Sequence, residues 1–391
     1  MPWKEVNVLD QKLEFVIRAF TKQETFTELC REYGISTKTG YKWRARFLEE
    51  GLDGLYDISR RPIKSSKTIA EDIVCDIVKI KTLKSKLGPK KIQQVYADAH
   101  PKQENPSLSS VKRILSKAGL VKKKKRRKKK TDNGRIQNRF IPEKPNDLWT
   151  VDFKGWWYTP NREKCEPLTV RDEFSKYILS IALLEKGDIL SVKKEFERLF
   201  CEYGLPGVIR SDNGPPFASS QSMLGLTKLA VWWLSLGIKL DRIDPGSPYQ
   251  NGAHERMHLD MKRELQGQIN GDLNVHQSVF NVWRNEFNRE RPHEALQMKT
   301  PGSVYRKSKR KYELFNGYYY PHGFMERRIN DRGWVNYRGH RIFISNAFAG
   351  YTIGIDESKG DIADVWFDEN LIGNIYRRDF LFTPATALNN I

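Results

Sequence analysis

Cysteine is scarce. Cys30, Cys75, Cys165 and Cys201 are the only four in 391 residues, and no two of them form a C-x-x-C pair. That excludes a disulfide framework and predicts reduced, mostly buried thiols in a cytosolic protein. The seven histidines do not stand with cysteines at ligand spacing, so no zinc finger is expected. No run of about 18 apolar residues occurs, so no membrane-spanning helix is expected. The most apolar stretch, residues 229–236, reads as a buried helix. The opening residues Met1-Pro2-Trp3-Lys4-Glu5 lack the apolar core of a secretory signal.

Acid is lacking in one region only. Residues 1–141 carry 34 Lys and Arg against 16 Asp and Glu, a net +18 of the +20 on the whole chain. Surfaces built for solubility mix the signs. The asymmetry points instead to a polyanion-binding third joined to a nearly neutral remainder. The hydrophobic fraction of 39%, with 10 Trp, 16 Tyr and 19 Phe, is enough to fill real cores. The length suggests two to four domains.

Residues 10–60 read as three helices. Leu13, Val16, Ile17 and Phe20 recur at helical spacing, as do Phe26, Leu29, Cys30 and Tyr33. Gly34-Ile35-Ser36 makes a turn, with Ser36 as N-cap of the next helix. That helix is expected to bury Trp43 and Phe47 and to present Lys38, Lys42, Arg44 and Arg46 to DNA, as the reading helix of a helix-turn-helix. An ordinary helical hairpin would need no such basic outer face.

Residues 64–121 repeat the theme, after a linker containing Arg60-Arg61-Pro62. Ile69, Ile73, Val74, Ile77 and Ile80 share a face; Pro89 opens a second helix and Pro106-Ser107 a third. Ser109, Lys112 and Arg113 would face outward in a second, winged-helix-like DNA-binding unit. Next come nine consecutive basic residues, Lys122, Lys123, Lys124, Lys125, Arg126, Arg127, Lys128, Lys129 and Lys130, within a linker over 122–143. No core can bury them. Lying between DNA-binding units and the next domain, they suit phosphate contact by counterion release.

From Pro145 the pattern changes. Residues 148–158, 167–172 and 177–183 read as consecutive strands. Helices and strands then alternate, giving an α/β domain with a mixed sheet over 144–310. Residues 325–391 read as five short strands separated by Gly, which predicts a small β-barrel.

Three carboxylates stand out. Asp152 interrupts the apolar strand Leu148-Trp149-Thr150-Val151-Asp152-Phe153, where its charge needs compensation. Asp212 follows Val208-Ile209-Arg210-Ser211, at the strand end where α/β sheets place ligands. Alone, Asp212-Asn213-Gly214 is a good turn. Glu255 falls in the first turn of a helix opened by Asn251-Gly252, where a glutamate is commonly only a dipole partner. The separations are 60 and 43 residues. Three oxygen ligands suit Mg²⁺, and two such ions about 4 Å apart can serve an in-line phosphoryl displacement. Asn251 and His258 are candidate DNA contacts beside the triad, with His258 also placed to orient Glu255.

These motifs together resemble the Asp-Asp-Glu transposases of bacterial insertion sequences, relatives of the retroviral integrases. The likeness rests on Asp152 in a first strand, Ser211-Asp212-Asn213-Gly214, and Asn251-Gly252-Ala253-His254-Glu255-Arg256. Asn288-Arg289-Glu290-Arg291-Pro292-His293 and Thr300-Pro301 extend it, as do the N-terminal helix-turn-helix units. The resemblance implies an RNase H-like core with Mg²⁺ or Mn²⁺, two ions per site. It implies Asp152, Asp212 and Glu255 as catalytic metal ligands. It further implies cleavage at element ends and strand transfer into double-stranded target DNA by a homo-oligomer in the bacterial cytoplasm. The second gap is longer than in the commonest members, and the excess falls within residues 215–237. No zinc-binding His/Cys domain like that of the retroviral integrases is present. A catalytically silent DNA-binding regulator and a non-transposing nuclease are the alternatives. The intact triad argues against the first, the extra domains against the second.

Overall fold

A computed structural model describes residues 7–21, 23–57, 69–121, 140–184, 186–219, 221–243, 251–265, 267, 269–313 and 320–386. The basic run Lys122 to Lys130 therefore lies outside the described residues. The chain divides into two units, residues 1–70 and 71–391.

The first unit holds α1 (Val8–Thr21), α2 (Phe26–Glu32) and α3 (Thr37–Glu50). Ser36 caps α3 as its sequence suggests, accepting the Thr39 amide at 3.2 Å. Phe15, Val16, Leu29, Cys30, Trp43 and Leu55 form the core. Gly40 is what lets α3 lie so close. A Cβ there would fall 2.7 Å from Cys30 Sγ and 3.0 Å from the rings of Phe15 and Phe26. Lys38 and Lys42 are exposed as expected, but Arg44 and Arg46 are half-buried. Their guanidinium groups lie 5.3 Å from the Phe20 ring centre and 5.4 Å from that of Trp43. Long basic side chains lay their stems along apolar surface, and that moves these two partly off the outer face.

The second unit begins with α4 (Glu71–Leu83), α5 (Pro89–Ala99) and α6 (Leu108–Lys117), closed around Ile77, Ile92, Tyr96, Val111 and Leu115. Ser109, Lys112 and Arg113 are exposed on α6. The residues that directly follow Val121, where a wing would lie, are outside the described residues.

Then come β1 (Leu148–Phe153), β2 (Trp157–Tyr158), β3 (Lys164–Cys165), β4 (Pro167–Asp172), β5 (Ile178–Leu183), α7 (Ile189–Tyr203), β6 (Val208–Ser211), α8 (Lys228–Ser235), β7 (Lys239–Arg242), α9 (Gly252–Glu264), α10 (Leu273–Glu290) and α11 (Pro301–Val304). The main sheet has the order β5-β4-β1-β6-β7. β1, β4 and β5 pair antiparallel, while β1–β6 and β6–β7 are parallel. The mixed α/β sheet matches the expectation. Lys84, just after α4, reaches this core through Glu290 at 2.8 Å, and α5 does so through Lys90–Glu294 at 3.2 Å.

An edge strand exposes unpaired backbone groups, and α10 satisfies those of β5. Gln277 accepts from the Leu183 amide and donates to the Ile181 carbonyl, both at 2.8 Å. Arg284 donates to Leu179 O at 2.7 Å, and Asn288 closes a reciprocal pair with Ile178 at 2.9 Å. Residues 277, 284 and 288 share one helical face.

The segment 215–237 does carry a helix, α8, buried from Leu229 to Ser235. Trp233 meets Phe196 at 4.9 Å and Phe217 at 6.2 Å; Trp232 meets Phe200 at 5.4 Å. The helix also packs on the turn Asn346–Phe348 of the C-terminal region. A helix covered on both sides has no face for polar residues, which explains the unbroken apolar run from Leu229 to Leu234.

The C-terminal region comprises β8 (Met325–Arg328), β9 (Trp334–Tyr337), β10 (His340–Phe343), β11 (Thr352–Lys359), β12 (Ile362–Phe367), β13 (Asn370–Tyr376) and β14 (Leu381–Pro384). The expected closed barrel is not found. Five strands form an open antiparallel sheet, β14-β13-β12-β11-β8, and β9–β10 form a separate ribbon. Among the described residues no ladder joins β14 to β8. Instead the inner face closes onto α8 and the core in one hydrophobic cluster containing Trp233, Ile353, Val365 and Ile375. Of the four thiols, Cys30 and Cys165 are buried but Cys75 and Cys201 are exposed, so only half meet the expectation of burial; all four are free.

Candidate active site

The register of two strands brings the first two carboxylates together. β1 and β6 pair in parallel through Leu148↔Val208, Trp149↔Ile209 and Thr150↔Arg210. The offset is 60 residues, which is also the separation of Asp152 from Asp212. Carried two residues past the last pair, that offset brings Asp152 of β1 alongside Asp212, the residue that follows β6, at the C-terminal edge of the two strands. The negative charge of Asp212 is felt at Asp152, which shows that the two side chains are near each other. Asp212 sits in a turn in which Gly214 donates its amide to Asp212 Oδ1 at 3.3 Å. Asn213 bonds the Ile243 carbonyl and ties the turn to the end of β7.

Glu255 lies in the first turn of α9 and is exposed. Its helix is anchored at three places. Near its start, Arg171 of β4 donates to Ala253 O at 2.6 Å. Beneath Glu255, His254 and His258 are buried and bonded to strand threonines. At its end Glu264 accepts from Arg291 at 2.6 and 3.1 Å and from Trp283 Nε1 at 2.7 Å. Arg291, with its guanidinium 5.4 Å from the Trp283 ring centre, is thus a clamp on α9.

The histidine cluster fixes protonation states. Thr169 faces Asp152 across the β1–β4 ladder and donates its hydroxyl proton to Asp152 O at 2.9 Å. A hydroxyl has one proton to give. His254 Nε2 at 2.6 Å and His258 Nε2 at 2.7 Å must therefore donate to the Thr169 oxygen. Burial, reinforced by neighbouring positive groups, holds the pKa of His254 far below its usual value and that of His258 down to about 3. Both rings are neutral, so the remaining Nδ1 atoms are acceptors. His254 Nδ1 accepts from Thr150 Oγ1 at 2.8 Å. His258 Nδ1 turns its lone pair toward Asp152 Oδ2, 3.8 Å away.

Asp152 consequently has little positive compensation. Its pKa is pushed up to about 7, by burial first, then by the negative charge of Asp212 and to a smaller degree of Glu255, with Lys154 opposing. Burial also raises Asp212. Three carboxylates are thus within electrostatic reach of one another. Among the described residues no set of three His, Cys, Asp or Glu side chains is already gathered closely enough to hold a metal ion. Asp152 and Asp212 form a preset pair, and Glu255 stands at the solvent side of the same field. The donor set fits a hard divalent cation: oxygen ligands, excess negative charge and an open side.

Asn251 and His258 were expected at the DNA surface, and both are buried. His258 faces the β1–β4 ladder because Thr169 draws its Nε2–H inward. Its neighbour is Asp152, not Glu255. Sequence reasoning overlooked Thr150, Thr169 and His254. The available signal was a threonine on each of two buried strands and a histidine just before Glu255. Replacing Thr169 by Val keeps the shape and strands two buried imidazole donors. The Thr169→Val variant is expected to lose at least about 2 kcal/mol of stability, read as a lower denaturation midpoint; an unchanged midpoint refutes this network.

Comparison with known proteins agrees with this architecture. Residues 11–63 match a helix-turn-helix domain and residues 39–115 a homeodomain-like domain. Residues 142–248 and 236–301 match the integrase core domain. The chain is 30% identical over 163 residues to the insertion element IS407 uncharacterized 31.7 kDa protein of Burkholderia multivorans, covering 41% of this chain and 56% of that one. It is 30% identical over 168 residues to the insertion element IS476 uncharacterized 39.2 kDa protein of Xanthomonas euvesicatoria, covering 41% and 44%. The match thus spans about half the length of these curated relatives. The Gag-Pol polyprotein of koala retrovirus is 29% identical over 182 residues, 46% of this chain and 10% of that one. Among solved structures, the HTLV-2 integrase catalytic core domain in complex with magnesium aligns at a TM-score of 0.34 and 20% identity, over 42% of this chain and all of that one. These matches assign an integrase core domain to residues 142–301 and helix-turn-helix domains to the segment before it, and the chain is similar to proteins of two insertion elements. Among the described residues no helix is long and apolar enough to cross a membrane.

Proposed function

We propose that the chain binds the ends of an insertion sequence, cleaves there to free a 3′-hydroxyl, and joins that hydroxyl to target DNA. One observation supports the catalytic part: the β1–β6 offset of 60 residues, which carried past the last pair brings Asp152 alongside Asp212, with Glu255 close enough to raise Asp152 further. Asp152, Asp212 and Glu255 would hold Mg²⁺, with Mn²⁺ as a substitute. A bound divalent ion would supply charge neutralisation at the phosphate and acidify the attacking hydroxyl or water.

The chain's own residues do the positioning. Arg171, Thr169 and Arg291 hold α9 so that Glu255 stays beside the two strand ends. In the first step water adds to phosphorus and the element's 3′-oxygen leaves as a hydroxyl. In the second that hydroxyl attacks a target phosphodiester and a target 3′-hydroxyl leaves. One phosphodiester forms as one breaks, so the joining step needs no external energy source. Lys38 and Lys42 on α3, Ser109, Lys112 and Arg113 on α6, and the basic residues 122–130 are the proposed DNA contacts. Two DNA ends must be handled together, so a homo-oligomer is proposed.

The test is direct. Labelled duplexes carrying the two ends of the resident element are incubated with the full chain and Mg²⁺. Nicked ends bearing 3′-hydroxyls and joined products support the reading. Binding without either product refutes it in favour of a silent regulator, and cleavage without joining refutes it in favour of a nuclease.

A further inference from the structure

The hairpin that follows β1 carries a feature that the triad leaves unused. β2 and β3 pair through Trp157↔Cys165 and Tyr158↔Lys164. Trp157 turns inward against Phe280, with ring centres 6.1 Å apart. Alternation along a strand then turns its two neighbours outward. Trp156 is 57% exposed and Tyr158 62%. Their ring centres lie 5.3 Å apart, edge to face. Lys164 Nζ stands 5.8 Å from the centre of the Trp156 ring while also pairing with Glu166 at 2.6 Å. Lys154 Nζ is 6.0 Å from the centre of Trp157.

Two large rings side by side in water are a patch that needs an occupant. The location limits what that occupant is. Trp156 is four residues beyond Asp152, so its backbone is at most about 14 Å away. A phosphodiester at Asp152 brings bases within about four steps of the hairpin, at 3.4 Å per step along a strand. Lysines beside the rings match the charge of a nucleic-acid backbone.

We propose that Trp156 and Tyr158 form a stacking platform for an unpaired DNA base within about four nucleotides of the scissile phosphate. This rests on the DNA-end reading above. A base drawn out of the duplex loses its neighbours in the stack, and an exposed indole replaces them. Such stacking tolerates any sequence, because every base has a π-face.

The experiment therefore needs no knowledge of the element's ends. The full chain is titrated with three short DNA probes in Ca²⁺: a blunt duplex, the same duplex with a forked unpaired end, and the fork with abasic unpaired positions. The chain is expected to prefer the intact fork over the abasic fork by about tenfold. Trp156→Ala is expected to abolish that preference while blunt-duplex affinity stays the same, and Trp156→Phe to retain most of it. Three results overturn the proposal. Trp156→Ala keeps the fork preference; or it weakens all three probes equally; or it alters self-association alone, which makes the patch a protein interface. Asp152→Asn separates this proposal from the catalytic one, since it should keep the fork preference whether or not the triad cleaves DNA.

Discussion

In Mg²⁺, Asp152→Asn is expected to lower end cleavage and strand joining by on the order of 10³-fold or more, as removal of one member of a jointly acting catalytic set does. Affinity for the same DNA ends should be nearly unchanged. Asp152 is the central member of the proposed triad: the β1–β6 offset brings it alongside Asp212, and its pKa is raised by burial first and then by both other carboxylates. Asparagine keeps the size and removes the charge that would hold a cation. The strongly basic third of the chain is elsewhere in sequence, so the proposed end binding would have its own residues. Parallel loss of binding and joining would mean that Asp152 is structural.

The second large effect concerns stability and metal together. Asp152 has its folded pKa raised to about 7 from 3.8. A carboxyl raised in the fold holds its proton more tightly there than in the unfolded chain. Its contribution to stability is therefore complete below about pH 3.8 and is lost as pH rises through 7. The ceiling on that loss is roughly 4 kcal/mol. Metal-free protein should unfold more easily at pH 8 than at pH 6. Mg²⁺ should reverse this at pH 8, by roughly 2–3 kcal/mol at a hundred times its dissociation constant. It should help less at pH 5.5, where protons occupy Asp152. Asp152→Asn should flatten the pH dependence over that range and weaken the response to Mg²⁺. Thermal denaturation at three pH values, with and without Mg²⁺, reads all of this. A wild-type chain indifferent to Mg²⁺ at pH 8 would contradict the metal assignment.

Much of the site could be read from the sequence, for identifiable reasons. Asp152 and Asp212 were visible as charges on or just beyond apolar strands, and their spacing of 60 turned out to be the strand offset itself. The α3 helix was visible through its Ser36 cap and through Trp43. The apolar stretch 229–236 announced burial, and the C-terminal sheet is what covers its second side. Other features depend on contacts between distant segments. Nothing in the order of residues says that Thr169 sits 85 and 89 positions from the histidines it binds. Nor does strand count decide between a barrel and an open sheet; that depends on whether the edges meet or close over a neighbour such as α8. Asn288 and Arg291 belonged to a motif without a visible role. Their work is mechanical: Asn288 holds β5 and Arg291 holds the end of α9.

Glu255 is the member of the triad with the fewest partners in the structure, so it offers the sharpest single test. Joining of a 3′-hydroxyl DNA end to target DNA in Mg²⁺ should be measured for Glu255→Gln and for the unaltered chain at matched DNA occupancy. The triad predicts a loss on the order of 10³-fold, like that of Asp152→Asn. Joining at the unaltered rate would remove Glu255 from the site and with it the three-carboxylate account.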